Sequence, residues 1–591
     1  MTAIFVRASL LLLLALLLGV AAPGGATAVA GEEASPPDER IFPLSAVRPG
    51  LRGTAHTVFS GTRVETFEVE VIDVIHNFLS KQDVILVRCL GDRIERTGIA
   101  EGMSGSPVTI DGRVVGALAF TWDWVKEPIG GITPIESMIA DGRRPLEGRP
   151  SGAEPPTGLR QPRPRPLRTR EGELREIATP LCVGGFSPEG SERVAEALGE
   201  IGLPVRLGGG VVSGAPAGWA NLDAPVVPGC ALTVDFVRGD LSVCAIGTCT
   251  LIDDKQVFAF GHGFQDIGET LFPLSVAYVY SVVPKHSISF KVGAPIREVG
   301  ALVQDRQSGV TGILGAKAPM VPVHVTLGNQ ATGRVEEFDF EISTNRTVFQ
   351  RMLILSLREA FSKAERTLGP NTKHFQLKVK LKGVEETWSY GDAFIGFDAG
   401  FSRILITIVD RVLNHPTQRA EFERIDLDVR IENVDRRGSI EKVTALKDEV
   451  RPGEALELLV RMRMKEGGAL FFERIPIRIP ADTPAGDFRV LVTGGDNVAA
   501  EVATPIDMLD IPTLYDAFYK STELVAILPT GRVNVDMDGK LLRNLPLSVV
   551  ARLARSPGAV RVKIHPVTDK VRHEVPYVVA EGGTVVLRVV R

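Results

Sequence analysis

The sequence has few cysteines, little net charge and no long apolar run after its first twenty residues. Its five cysteines follow no zinc or iron–sulfur spacing. A net charge of −5 gives no basis for nucleic-acid binding. An HExxH motif, a phosphate-binding loop and a GxGxxG turn opening a helix are all missing. The sequence therefore predicts no metal, no cofactor and no nucleic-acid partner.

The N-terminus is typical of a secretory signal. Arg7 provides the positive charge, Ala8 to Val20 is a leucine-rich apolar stretch, and residues 28–30 form an Ala-x-Ala cleavage site. The apolar stretch is short for a membrane span and is interrupted by Pro-Gly-Gly at 23–25, which disfavours the alternative of an uncleaved anchor. We therefore expect cleavage near Ala30, a periplasmic or secreted protein, and no stable membrane span afterwards.

Export makes disulfide bonds possible for the cysteines. Because their number is odd, at least one thiol stays free if the others pair within the chain. Cys244 and Cys249 lie close together in strand-like surroundings. A bridge between these two residues and two separate buried thiols are both compatible with the sequence.

Sixty glycines, 39 prolines and many runs of Val, Ile and Thr favour a β-rich architecture. Changes in composition and periodicity divide the chain into seven parts. These are a signal peptide (1–30), a β unit (31–147), a Pro/Arg-rich linker (148–180), a second β unit (181–345), a helix (346–371), a β-sandwich (372–505) and a C-terminal α/β region (506–591). The motifs described next lead us to expect that the two β units are the serine-bearing and the histidine-bearing halves of a β-barrel pair.

Residues 102–107, Gly-Met-Ser-Gly-Ser-Pro, form the most informative segment. A β-branched run follows, then the hairpin signal Asp111-Gly112 and a second apolar strand. Chymotrypsin-type proteases present their nucleophile in this way, because glycines let the backbone turn sharply and aim N–H groups at a developing oxyanion. Ser104 is the predicted nucleophile, and the N–H groups of Gly102 and Ser104 are the predicted oxyanion donors. Ser106 is predicted to be structural.

Residues 98–107 resemble the nucleophile segment of the SpoIVB-type serine peptidases, the sporulation stage IV protein B family. Residues 246–250 and 258–262 are similar to that family's Gly-Thr-x-Thr strand and to the Gly-His that supplies its catalytic histidine. The resemblance implies a chymotrypsin-like two-barrel fold, in which His262 is the catalytic base and an acid near Asp92 completes the triad. Asp266, Asp305 or a Ser–His dyad without an acid are alternatives.

In the sporulation protease the histidine precedes the serine, whereas His262 follows Ser104. Chemistry does not fix this order, since only the spatial arrangement matters. Each barrel needs about 80–100 residues, and the stretch from Phe42 to Ser104 is too short to hold a complete histidine barrel. This disfavours His56, which would give the usual order, and predicts that the two halves are exchanged.

The sequence thus predicts a mainly β protein with chymotrypsin-like two-barrel peptidase units, followed by a β-sandwich and a small α/β region. The predicted function is that of an exported serine endopeptidase acting on protein or peptide substrates. The alternative is a catalytically inactive envelope protein that uses protease-like barrels for binding or as a scaffold. The sequence does not define an oligomeric state.

Overall fold

The computed structural model describes most of the chain after the predicted signal segment. The described residues are 39–79, 81–144, 174–203, 205–207, 224–364, 370–395, 399–414, 420–498, 518–537, 540–546, 549–550 and 562–590. The predicted signal peptide and most of the predicted linker lie outside these ranges.

The first unit is a closed barrel of six antiparallel strands with two short helices. Its elements are β1 (Arg52–Thr57), β2 (Glu65–Leu79), β3 (Gln82–Leu90), α1 (Asp92–Thr97), β4 (Ser106–Ile110), β5 (Arg113–Thr121), β6 (Ile129–Pro134) and α2 (Ile135–Gly142). The barrel closes because β4 pairs with both β1 and β5. In β2, Phe67, Val69 and Val71 are buried whereas the glutamates between them point away from the core, as a period of two requires.

A connecting segment leads from this barrel to the next one. It contains β7 (Arg175–Glu176), β8 (Thr179–Gly184), α3 (Pro188–Glu200) and β9 (Val205–Leu207). The sequence of residues 187–201 predicts a helix with Ser191 as a possible N-cap, and the structure has α3 at this place with Ser187 as its N-cap. The Ser187 side chain accepts a hydrogen bond from the N–H of Gly190.

The second unit is another six-stranded closed barrel. Its strands are β10 (Ala231–Gly239), β11 (Ser242–Asp253), β12 (Gln256–Ala259), β13 (Gly268–Val283), β14 (Phe290–Arg306) and β15 (Gly309–Leu314). The ring closes because β10 pairs with both β11 and β13, while β14, β15 and β12 complete the path between them. Two consecutive six-stranded barrels confirm the predicted chymotrypsin-like architecture.

Five further strands extend the sheet of the second barrel beyond β10, and two helices pack on them. The elements are β16 (Met320–Asn329), β17 (Arg334–Ser343), α4 (Arg346–Ala364), β18 (Thr372–Leu381), β19 (Thr387–Ile395), α5 (Ala399–Leu413) and β20 (Phe422–Glu432). Helix α4 matches the predicted amphipathic helix and buries Phe349, Met352 and Phe361. The parallel pairing of β20 with β16 places residues 372–432 with the second barrel.

The last unit is a β-sandwich whose two sheets enclose one apolar core. One sheet contains β21 (Arg437–Ala445), β23 (Ala455–Met464), β24 (Leu470–Arg478) and β29 (Val578–Ala580). The other contains β22 (Glu449–Val450), β25 (Gly486–Gly494), β26 (Glu523–Met537), β27 (Lys540–Pro546), β28 (Val562–Glu574) and β30 (Gly582–Val589).

A sandwich is predicted and observed, but its strand composition corrects the predicted bounds of 372–505. Strands up to Glu432 pair with the barrel sheet, and the strands from 523 onward, predicted as a separate α/β region, belong to the sandwich. Within the predicted α/β region, the sequence of residues 512–527 predicts a helix, and this prediction is wrong from Glu523 onward, where β26 begins. The first part of that range lies outside the described residues.

Candidate active site

Ser104 lies in the tight turn between α1 and β4, at the end of the first barrel that faces the second. Gly102 and Gly105 flank it with φ angles of +88° and +92°, and residues other than glycine rarely adopt this backbone conformation. Gly105 also allows a close backbone approach, since a Cβ atom there would lie 2.1 Å from the carbonyl oxygen of Thr248. The glycines of the motif are thus needed for the turn and for contact with the neighbouring barrel.

The serine turn is hydrogen-bonded to strand β11 of the second barrel. The N–H of Thr248 donates to the carbonyl of Ser104 at 2.8 Å, and its hydroxyl donates to the carbonyl of Gly102 at 2.9 Å. The hydroxyl of Thr250 donates to the carbonyl of Gly105 at 2.7 Å. Both threonines belong to the predicted Gly-Thr-x-Thr strand, whose side chains therefore bind the nucleophile turn.

His262 follows β12 and enters the same region from the second barrel. Phe260, two residues earlier, donates its N–H to the carbonyl of Thr248 at 3.2 Å. A Cβ atom on Gly261 would lie 3.1 Å from the Cβ of Ala119 in β5. The structure therefore brings the segments that carry Ser104 and His262 together at one interface between the barrels.

The side chains of Ser104 and His262 are both fully buried, and each has a polar atom without a hydrogen-bond partner among the described residues. These atoms are Ser104 Oγ and His262 Nε2. His262 Nδ1 lies 2.8 Å from the carbonyl oxygen of Gly263. A carbonyl only accepts hydrogen bonds, so Nδ1 carries the proton and Nε2 has a free lone pair, as a general base requires.

The predicted acid, Asp92, is not brought to the histidine. It is exposed at the start of α1, and within the described residues the only hydrogen bond of the His262 ring is the one to Gly263. Of the alternatives, Asp305 contacts the segment after the histidine. Its carboxylate accepts hydrogen bonds from the N–H groups of Phe264 and Gln265, each at 2.6 Å. It thereby holds the turn after the histidine rather than the ring itself.

The buried position of Asp305 also affects its charge. Burial raises the pKa of this carboxyl from 3.8 to about 7, against the opposing effect of the two N–H donors. Asp266, the other alternative, lies in the same turn with a φ angle of +55°. A cavity of about 500 Å³ opens beside this turn, and Leu79, Glu176 and Arg306 are among its lining residues.

The predicted oxyanion donors are oriented by the second barrel. Glu101 forms a parallel bridge with Phe290, in which the N–H of Lys291 donates to the Glu101 carbonyl at 3.0 Å. In a trans peptide the carbonyl and the N–H point in opposite directions, so the N–H of Gly102 points away from β14. Among the described residues, neither Gly102 nor Ser104 donates its N–H to another group.

Lys291 is a residue of this region that sequence reasoning missed. Its side chain is fully buried, and Nζ lies 2.9 Å from Thr57 Oγ1 and 3.3 Å from Thr248 Oγ1. Burial lowers the pKa of this ammonium group from 10.5 to about 7. A single lysine in a strand gives no sequence signal for such a position, since most lysines are exposed.

The remaining candidates have other surroundings. His56 Nε2 lies 3.3 Å from Thr109 Oγ1 in the neighbouring strand β4, not at Ser104. Ser106 is buried at the start of β4. Within the described ranges, no three His, Cys, Asp or Glu side chains group as a metal ion would need. None of the helices in these ranges combines the length and hydropathy that a membrane crossing needs.

Two closed six-stranded barrels, with a glycine-framed serine turn of one packed against the other, define the chymotrypsin-like class of serine peptidases. Residues 39–139 match the family described as SpoIVB peptidase S55. The chain therefore carries a SpoIVB-type serine peptidase domain and is a hydrolase that acts on protein substrates. The comparisons with curated proteins and with solved structures gave no match.

Proposed function

We propose that this protein is an exported serine endopeptidase in which Ser104 is the nucleophile and His262 is the general base, with the two barrels in exchanged order. The observation that carries the proposal is that the segments of Ser104 and His262 meet on β11, where Ser104 Oγ and His262 Nε2 are both buried and are hydrogen-bonded neither to each other nor to another group among the described residues. Buried polar atoms are almost always hydrogen-bonded. A nucleophile and a base left unpartnered in adjacent segments fit a site that is completed by a substrate.

The reaction follows from the groups present. His262 Nε2 takes the proton of Ser104 Oγ as the oxygen attacks the scissile carbonyl, and the imidazolium then returns the proton to the leaving amine. The N–H groups of Gly102 and Ser104 are available for the oxyanion, where one such donor contributes about 10²–10³ in rate. Water then hydrolyses the acyl-enzyme with the same base.

The proposal assigns the role of the triad acid to a backbone group. The carbonyl of Gly263 accepts the Nδ1 proton and so holds the tautomer, while Asp305 fixes the turn that carries this carbonyl. Asp92, exposed on α1, has no contact that would support such a role. A dyad of this kind stabilises the imidazolium less than a carboxylate does, which predicts a slow enzyme.

The second candidate function, a non-catalytic binding or scaffold protein, is favoured by a different observation. Ser104 and His262 are both 0% exposed, so a polypeptide does not reach them in the described conformation. Within the described residues, no carboxylate is hydrogen-bonded to the histidine ring. Both observations are expected if the fold were kept for binding alone.

Labelling with a fluorophosphonate probe separates the two functions. The probe phosphonylates an activated serine, and intact mass and peptide mapping locate the adduct. We expect wild-type protein and Ser106→Ala to become labelled on Ser104, and Ser104→Ala to remain unlabelled. Ser106 is the matched control, because it is also a buried serine of the motif with an unpartnered hydroxyl. Labelling that persists in Ser104→Ala would remove Ser104 as the nucleophile.

Export is the part of the proposal that rests on the first thirty residues alone. The charged start, the leucine-rich stretch and the Ala-x-Ala site support it. Mass spectrometry of the N-terminus of the native protein is expected to find a chain that begins near Gly31. A chain that keeps Met1 and sediments with membranes would instead indicate an anchor.

A further inference from the structure

A short segment of the chain bridges the two barrels at the candidate active site. Residues 175–180, here called the strap, begin with β7, which pairs with the edge of β5 in an antiparallel register that sets Glu176 opposite Phe120, and end in the first two residues of β8. The N–H of Ile177 donates to the carbonyl of Ala119 at 2.8 Å. After the strap the chain continues in β8, which pairs with β11 of the second barrel.

The strap reaches both halves of the candidate site. Ala119, which receives the Ile177 hydrogen bond, packs against Gly261, the residue before His262. At its other end, the Cγ of Pro180 would lie 3.0 Å from a Cβ atom placed on Gly102. The strap therefore spans the distance from the histidine turn to the turn with the predicted oxyanion donors.

The strap is itself buried beside the site. Ile177 and Thr179 are both 0% exposed, as are Ser104 and His262. Glu176 lines the cavity beside the histidine turn. A polypeptide that approaches this interface in the described conformation meets a sheet edge that already has a partner.

One ion pair anchors the strap to the first barrel. The Arg175 guanidinium donates from Nε to Asp123 Oδ1 at 2.9 Å and lies 3.7 Å from the carboxylate of Glu101. Arg175 is buried, whereas the Asp123 side chain keeps 31% of its surface exposed. The anchor can thus be weakened from the barrel side by changing Asp123, without altering the strap.

We propose that the strap is a built-in substrate mimic, which occupies the β5 edge that an extended peptide substrate needs and has to be displaced before the peptidase acts. An unpaired strand edge binds peptides by adding a strand, with main-chain hydrogen bonds supplying much of the affinity. A segment of the same chain competes at an effective concentration in the millimolar range. A protein substrate present at about micromolar concentration therefore does not displace it unaided. That the strap inhibits peptide cleavage rests on the proposed function, but that the strap occupies the β5 edge can be tested without catalysis.

The test uses two full-length variants that loosen the strap by different means. Ile177→Pro removes the N–H that bonds Ala119 while keeping an extended backbone, and Asp123→Ala removes the nearer of the two carboxylates that hold Arg175. Glu127→Ala is the matched control, because it breaks an exposed ion pair with Arg88 (Nε to Oε2, 2.9 Å) on the same barrel that does not involve Arg175. Circular dichroism and thermal unfolding identify the variants that fold. If Ile177→Pro does not fold, Asp123→Ala alone decides the test.

Two readouts distinguish this proposal from the proposed function. The rate of fluorophosphonate labelling of Ser104 is expected to rise at least about tenfold in both variants and to stay at the wild-type rate in Glu127→Ala. In a Ser104→Ala background, a fluorescent peptide with the sequence of residues 174–180, Leu-Arg-Glu-Ile-Ala-Thr-Pro, is expected to bind the loosened variants and not the protein with an intact strap, measured by anisotropy. Peptide binding without labelling upholds the strap and refutes Ser104 as the nucleophile. Folded variants that neither bind the peptide nor label faster overturn the strap.

Discussion

The N–H of Thr248 donates a 2.8 Å hydrogen bond to the carbonyl of Ser104, so one strand of the second barrel fixes the nucleophile turn of the first. The carbonyl of the same threonine accepts the N–H of Phe260, just before the histidine turn. Strand β11 therefore sets the relative position of both catalytic candidates. Changes at this interface are expected to alter stability and reactivity together.

Replacing His262 should separate the exchanged order from the usual one. We expect His262→Ala to slow fluorophosphonate labelling of Ser104 by about 10²–10⁴, the usual contribution of a general base. His56→Ala is the control, since His56 lies beside Thr109 and has no contact with the Ser104 hydroxyl. If His56→Ala caused the loss and His262→Ala did not, the usual order of histidine and serine would apply.

Gly105→Ala is expected to destabilise the protein by more than about 4 kcal/mol, because the new Cβ would collide with the backbone of the second barrel. That atom would lie 2.1 Å from the Thr248 carbonyl oxygen and 2.4 Å from the Phe260 nitrogen. Gly112→Ala is the matched control, with a φ of +74° and nothing within 4 Å of the added carbon, and should cost about 1–2 kcal/mol. Urea unfolding measures both, and equal midpoints would contradict the close approach.

Stability should depend on pH through Lys291. The pKa of its ammonium group falls from 10.5 to about 7 on burial, so the folded state binds fewer protons than the unfolded chain between these values. The free energy of unfolding should therefore rise with pH from about 7 to 10.5, by up to about 1.4 kcal/mol per pH unit for one group. The same contribution is lost as the pH falls from 10.5 to about 7, and below that pH it no longer changes, because the lysine is then protonated in both states.

Lys291→Met tests this pH dependence, because it keeps the length of the side chain and removes the charge. Thermal unfolding at pH 6, 8 and 10 should show a smaller rise for Lys291→Met than for the wild type. A variant that retains the full slope would show that other groups cause it.

The cysteines should pair across strands rather than along one strand. Cys182 lies opposite Cys244 in the β8–β11 pair, and the N–H of Cys249 donates to the carbonyl of Cys230 at 2.9 Å. In each pair the thiols are also hydrogen-bonded to one another. With oxidised glutathione as oxidant, peptide mapping is expected to find the bridges Cys182–Cys244 and Cys230–Cys249.

Cys89 is the internal control for this oxidation. It is fully buried, and burial raises the pKa of its thiol to about 12, which suppresses the reactive thiolate. It should remain a free thiol in the oxidised protein. A bridge between Cys244 and Cys249, one of the two possibilities open from sequence, would contradict the observed strand pairing.

The features that could be predicted from the sequence are those set by local chemistry. The glycine-framed turn at Ser104, the alternation in β2 and the amphipathic pattern of α4 each depend on neighbouring residues. Which strands pair with one another, by contrast, does not depend on neighbouring residues in the sequence. Val323 of β16 pairs with Ile425 of β20 after two helices and three intervening strands, and alternation identifies strands without indicating their partners.

Two errors have a physical explanation of this kind. The run from Leu524 to Leu528 is apolar throughout, and a short continuous apolar run fits a buried strand as well as a helix. For the acid, the resemblance implies a carboxylate near Asp92. The protein instead places a main-chain carbonyl at the histidine ring, and a main-chain group gives no residue signature in a sequence.

The order of the barrels along the chain determines when a working site can exist during synthesis. The nucleophile turn and the β5 edge emerge from the ribosome first, followed by the strap, and His262 emerges last of the three. Since a chain folds from its N-terminal end as it is made, the strap can dock before the histidine is present. In a newly made chain the β5 edge would then be covered before the proposed catalytic base has been synthesised.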